Sequence, residues 1–232
     1  MKIDIITRQA VPNYGSLLQS YATQKTFEKL GLNVEFINYI RYDERAKNLA
    51  KTQIQGKRWN KNVVTRSLYK IIQTLNYSHM YKAFEKYREG FIHETKKIYG
   101  NVEELRKNPP FADIYCTGSD QIWGKIGNSN FDLAYFLDFV KNKKCISYAA
   151  SFGKENIDDE LKKQLPNLLK KYSYILVRED SAKKIIESEG IKNVEQVLDP
   201  TFLLTKEEWI QLANSKIKYQ DYVLVLSLIH IS

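Results

Sequence analysis

Four short apolar runs in this chain each stop at a cluster of small and polar residues, at positions 13–16, 119–121, 151 and 178–180. Strands that alternate with helices pair in parallel, and a parallel sheet puts every carboxyl end on one edge. That recurrence predicts an α/β, Rossmann-like fold with a mostly parallel sheet and one polar edge. The opening is strand 2–7, a turn containing Gly15, helix 17–30 with Leu17, Leu18, Tyr21, Ala22 and Phe27 mostly on one face, Gly31, and strand 34–39. This is a βαβ unit, whose crossover is right-handed. Further on, the pattern predicts a short helix at 101–107 and a central strand at 114–117. Strands at 145–149, 174–177 and 194–198 follow, with helices at 160–171, where Pro166 is able to introduce a kink, and at 181–189, stopped by Gly190. Thr205 and Glu208 form a capping-box pattern before a helix at 209–213, and a new strand begins at 222–226.

Residues 41–100 depart from this alternation. They are polar, basic and Tyr-rich, with helical runs at 61–75 and 78–89, and they hold Lys51, Lys57, Arg58, Lys61, Arg66, Lys70, Lys82, Lys86 and Arg88. We read them as an insertion. It serves as a lid over an anionic substrate, as a pad against anionic lipid, or simply as a solvated helical face. Trp59 and the tyrosines offer surfaces on which sugars stack. The insertion is expected beside or over the polar edge.

The whole chain carries 36 Lys and Arg against 27 Asp and Glu, a net charge of +9, which suits anionic partners without choosing among them. Its 43% hydrophobic content is enough for a sizeable core. Cys116 and Cys145 lie in apolar runs and read as buried thiols of a reducing cytoplasm, with no metal site and no disulfide framework. His79 and His93 lack metal-ligand spacing. No run approaches the roughly 20 apolar residues of a membrane span, and the N-terminus is no signal peptide. The expected location is the cytoplasm, with peripheral contact at the inner face of an anionic membrane.

The central candidate is the stretch 112–124, ADIYCTGSDQIWG. Its strand ends at Gly118, and Ser119, Asp120 and Gln121 then sit where open α/β sheets bind ligands. The same residues also read as a turn in which Asp120 caps a helix. Trp123 is either a core plug or a stacking face for a sugar. Asn13, Tyr14, Gly15 and Ser16 form a turn at a helix N-terminus, a place where backbone amides hold phosphate, or a tight turn alone. Ser151 ends another strand. Arg178 and Glu179 end a third, and Arg178 reads either as an oxyanion-binding cation or as a structural ion pair with Glu179 or Asp180.

Several segments resemble the polysaccharide pyruvyl transferase family. They are NYGSLLQSYA at 13–22, GSDQIW at 118–123, FLDF at 136–139, ISYAASFG at 146–153, VREDS at 177–181 and VLDPTFLL at 197–204, in the order the family shows. The resemblance implies a GT-B-like architecture of two Rossmann-like domains. It also implies transfer of a pyruvyl group from phosphoenolpyruvate to a sugar as a ketal, with an acid at Asp120 and an arginine at Arg178. The partners it implies are phosphoenolpyruvate, which is the donor substrate and not a cofactor, and a glycan or lipid-linked oligosaccharide acceptor. No nucleic acid is expected, because no nucleic-acid-binding motif accompanies the basic residues. An Arg-x-His motif of the family's second domain has no counterpart here.

The expected division is residues 1–215 as the first domain and 216–232 as the start of a truncated second one. Residues 226–232, LSLIHIS, resemble the translation of a transposase adaptor used in library preparation, a reading under which His230 is no functional candidate; the rival reading is a natural strand that ends the protein. The fragment is expected to be inactive alone. A sugar-nucleotide glycosyltransferase of GT-B-like fold, or a basic anion-binding module, are the competing readings.

Overall fold

A computed structural model describes residues 1–45, 48, 62–126 and 131–213. Six strands form one all-parallel sheet in the order β2-β1-β3-β4-β5-β6. They are β1 (Lys2–Ile6), β2 (Asn33–Phe36), β3 (Ile114–Thr117), β4 (Lys144–Ala150), β5 (Tyr172–Val177) and β6 (Val194–Gln196). In the register, Ile3 pairs with Val34 on one side and Ile114 on the other, and Cys116 pairs with Ile146. The alternation within β1 sends Ile3 and Ile5 to one face and Ile6 to the other.

Both faces are covered. On the first lies α1 (Tyr14–Lys29), whose Leu17, Tyr21, Ala22 and Phe27 pack on Ile3, Ile5, Val34 and Phe36. On the second lie α4 (Asp159–Leu169) and α5 (Asp180–Ser188). Leu161, Leu165 and Leu169 recur every four residues on one helical face and are buried there with Ile185 and Ile186. The aromatic segment 131–140 joins this core through the short 3-10 turn Leu133–Phe136, of which Ala134, Tyr135 and Phe136 are buried. Cys116 and Cys145 are free and buried.

The remaining helices are α2 (Val63–Phe91), α3 (Val102–Lys107) and α6 (Lys206–Leu212). The two expected runs at 61–75 and 78–89 are therefore one helix, capped by the Asn62 side chain on the Val64 amide at 2.8 Å. Nothing in Asn76-Tyr77 breaks it, since neither Pro nor Gly intervenes. Its second half fastens to the carboxyl-edge side of β1 and β2. The Phe84 ring lies 4.8 Å from that of Tyr14, and Arg88 pairs with Glu94 at 2.8 Å. Residues 94 and 99 then form isolated parallel bridges with Phe36 and Tyr39, which continue the line of the expected strand 34–39 beyond β2. Helix α1 starts at Tyr14, three residues earlier than expected. Gly190 at φ +83° follows α5, and Thr205 with Glu208 closes a complete capping box on α6. Trp59, the expected strand 222–226 and residues 216–232 lie outside the described residues.

Candidate active site

In this strand order the chain leaves β1 toward β2 but leaves β3 toward β4, so a crevice opens between the carboxyl ends of β1 and β3. Two polar side chains meet there. Ser16, in the first turn of α1, donates its hydroxyl to Asp120 Oδ2 at 2.7 Å, and the Gln121 amide donates to Asp120 Oδ1 at 2.7 Å. Asp120 is thus a carboxylate oriented by two donors at the mouth of the crevice. Ser16 is held in turn by Asn13, whose Oδ1 accepts from the Ser16 amide at 3.1 Å as the N-cap of α1.

The polar line continues across the sheet. The Asp120 carbonyl accepts from the Ser151 amide at 3.1 Å, which bridges the loop after β3 to the end of β4. Ser151 Oγ donates to Glu179 Oε1 at 2.7 Å and accepts from the Gly153 amide at 2.9 Å. Glu179 Oε1 also receives Arg178 Nε at 3.0 Å, and Arg178 Nη1 reaches Asp199 Oδ2 at 3.2 Å. Asp199 is anchored by the Thr201 amide and hydroxyl at 3.0 and 2.7 Å. Five strand ends thereby share one connected network running from Ser16 to Thr201.

Local backbone chemistry makes this approach feasible. Gly118 sits at φ +114°, and a Cβ there would lie 2.1 Å from the Tyr148 carbonyl oxygen, so only glycine lets β3 turn against β4. The Gly118–Ser119 peptide is cis. Thr7 Oγ1 donates to the Ser119 carbonyl at 2.8 Å, tying this turn to the end of β1. Ser119 Oγ is buried and has no hydrogen-bond partner among the described residues.

Asn13, Ser16, Gly118, Ser119, Asp120, Gln121, Ser151, Arg178 and Glu179 are therefore brought to one edge. Trp123 is not available to a ligand. It is fully buried, stacked on Phe136 at 5.6 Å with its indole N–H on the Tyr135 carbonyl at 3.1 Å, because the chain after Gln121 turns back into the core. It is a core plug, which corrects its expected place among the substrate-binding residues. Tyr14 is exposed beside the crevice, with its ring on Phe84. Gly15 lies inside the first turn of α1, where a Cβ would stand 3.1 Å from Asn13 Oδ1.

Asp199 is a member of the network that sequence reasoning left out. Its signal was available, since Asp199-Pro200-Thr201 ends a strand run as the other clusters do. A second network, Gln9–Glu94–Arg88, joins α2 to the edge, with Gln9 Nε2 3.1 Å from Glu94 Oε1. Burial pushes the Glu94 carboxyl up, against the opposing pull of Arg88.

The electrostatic balance of the edge is unusual for a site awaiting an anion. Three carboxylates, Asp120, Glu179 and Asp199, stand in one hydrogen-bonded line with a single guanidinium. Burial works against the charge on Arg178, yet Glu179 and Asp199 hold its pKa above the ordinary value. Beyond Glu179 a groove opens, lined by Asn156, Lys162, Ser181 and Lys184 among others. No group of three or more His, Cys, Asp or Glu that would hold a metal ion exists among the described residues.

Comparison with known proteins gives one assignment. The family model described as polysaccharide pyruvyl transferase matches residues 13–231, nearly the whole chain. No curated protein and no solved structure matches.

Proposed function

The chain belongs to the polysaccharide pyruvyl transferase family, and on that basis we propose that it transfers a pyruvyl group from phosphoenolpyruvate to a sugar of a cell-surface polysaccharide or its lipid-linked precursor. The observation that carries the reading at residue level is the oriented Asp120 carboxylate in the β1/β3 crevice, connected through Ser151 and Glu179 to Arg178.

The chemistry asks for these groups. Two sugar hydroxyls add to C2 of the enol, C3 gains one proton, and the C2–O bond to phosphate breaks. One hydroxyl proton ends on C3, the other leaves with inorganic phosphate, and the product is a cyclic ketal. A base beside the attacking hydroxyl and hydrogen-bond donors at the departing oxyanion lower the barrier. Asp120 is placed to take the hydroxyl proton. Its Ser16 partner holds the carboxylate in one orientation. Arg178 has the planar fork that pairs with carboxylate or phosphate.

Arg178 already faces two carboxylates. Phosphoenolpyruvate brings a phosphate and a carboxylate of its own, so binding it at this edge requires cations additional to Arg178. In the proposed GT-B-like arrangement a second half-cleft supplies them. Missing one fixed donor at a developing oxyanion costs on the order of a hundredfold or more in rate.

The test is phosphate released from phosphoenolpyruvate in the presence of glycan acceptors, followed together with the ketal formed on the sugar. It is run on this chain and on a two-domain family member with the aspartate matching Asp120 changed to Asn. Acceptor-dependent release by the two-domain enzyme, lost in its Asn variant, supports the site. Release unaffected by that change removes Asp120 from the reaction, and turnover by this chain at a comparable rate removes the need for cations beyond Arg178. Transfer from a sugar nucleotide instead would establish the glycosyltransferase reading.

A further inference from the structure

The net charge of the molecule is not spread over it. Between Arg45 and Phe84 there are nine basic residues, Arg45, Lys47, Lys51, Lys57, Arg58, Lys61, Arg66, Lys70 and Lys82, and no Asp or Glu. The remaining 36 − 9 = 27 basic residues equal the 27 acids elsewhere, so the whole +9 resides in this one segment.

Most of its described part is the first three-quarters of α2, and the amphipathicity of that helix is reversed relative to a core-packed one. Val64, Leu68, Ile71, Ile72 and Leu75 are 48% to 73% exposed. At about 100° per residue they fall within a stripe about 100° wide and about 17 Å long. The opposite side, with Thr65, Arg66, Tyr69, Lys70, Gln73 and Thr74, is the half-buried one. Along the same outward line the apolar turns give way to exposed His79, Lys82 and Lys86. Acids enter the helix at Glu85 and Glu89, in its last two turns.

We propose that the outward face of α2 docks the protein on an anionic phospholipid surface, with the aliphatic stripe entering the headgroup boundary and Lys82 and Lys86 resting on lipid phosphates. A helix lying in an interface needs apolar insertion together with cationic attraction, and each alone is weak. Lys82 and Lys86, exposed on the outward line of the helix, supply the attraction, at roughly 1 kcal/mol per cation near the surface. A nucleic acid would use the charge but has no need of five exposed aliphatic side chains. A second copy would bury the stripe but would bring a like-charged segment against it. No helix of the described residues is long and apolar enough to cross a membrane, so the contact is peripheral. The proposal is independent of pyruvyl transfer, because it is read without turnover.

The experiment is co-sedimentation of the full chain with vesicles of phosphatidylcholine, with and without phosphatidylglycerol as about a third of the lipid. Binding is expected to the anionic vesicles alone, and to fall steeply when salt is raised to 0.5 M, where the screening length is roughly 4 to 5 Å. Changing Leu68, Ile71 and Leu75 together to Ser should weaken binding at least about tenfold. Lys82→Gln and Lys86→Gln should each weaken it about fivefold. All five positions are exposed, and helicity by circular dichroism checks that each variant folds. The wild-type salt and lipid dependence tests the proposal even without variants. Absent binding at low salt overturns it, as does binding indifferent to the triple Ser change. A dimer by light scattering that the triple change dissolves, without vesicle binding, assigns the face to a second copy. Retention by an oligonucleotide but not by vesicles assigns the charge to nucleic acid.

Discussion

Asp4 occupies the middle of β1, beside Glu35 and Tyr115 in the register, and is fully buried. The Lys2 ammonium stands 3.3 Å from one oxygen, yet neither oxygen accepts a hydrogen bond of good geometry among the described residues. Burial pushes its carboxyl up to about 6, more than Lys2 pulls it down. A raised carboxyl binds its proton more tightly in the folded state. Asp4 therefore destabilises the fold above pH 6, by about 3 kcal/mol at most. That penalty fades as pH falls through 6 and is gone below the ordinary carboxyl value. Asp4→Asn is accordingly expected to raise Tm by several degrees at pH 7.5, while at pH 4.5 the two proteins should melt much closer together. Equal melting shifts at both pH values would show that Asp4 is not the titrating group. At Gly118 the expectation is opposite in sign. Gly118→Ala forces a Cβ onto the Tyr148 carbonyl and holds alanine at φ +114°, so the variant should lose at least about 3 kcal/mol and be recovered as insoluble protein on expression.

Among the elements, α1 carries the most functional weight, because its N-cap also aligns Ser16. Asn13→Ala should cost about 1 kcal/mol of stability, a Tm lower by about 2 to 4 °C, and it frees the first turn that presents Ser16 to Asp120. Thermal melts check the first effect. Most elements were legible in the sequence because each packs one clear apolar face, as Leu161, Leu165 and Leu169 do on α4. The start of α1 was not, since Gly15 reads as a turn residue and only the Asn13 side chain shows that the helix has already begun. The split of α2 was misread for a related reason: its apolar residues are on the solvent side in the first half, so no single core-facing period runs through it. At the candidate site, strand-end chemistry put Asp120, Ser151 and Arg178 on the carboxyl edge of the sheet, where the structure has them. The burial of Trp123 depends on how residues 122–126 fold back under Phe136 and Phe152, and no local pattern encodes that. Asp199 was legible as one more strand-end cluster, whereas Glu94 was hidden because its partners, Gln9 and Arg88, are brought to it by tertiary contact.

Taken as a whole, the molecule pairs a polar edge rich in carboxylates with a separate segment that carries all of its excess positive charge. The two are joined through the second half of α2, which reaches the edge by Phe84 and Arg88 and leaves its first half outward. The strand order has a consequence for how the molecule is assembled in time. Strands β3 to β6 pair in succession along the chain, whereas β1, already beside β2, must find β3 across the whole intervening insertion. Ser16 and Asp120 are 104 residues apart in sequence. Closing a loop of that length is entropically costly, and contacts between distant residues slow folding. Pulsed hydrogen exchange during refolding should therefore protect the amides of β3 to β6 before those of β1 and β2, and simultaneous protection would contradict this order. A chain emerging amino-end first would then hold its first hairpinless βαβ unit in waiting, and the crevice would come into being only when the later strands had formed an edge for β1 to join.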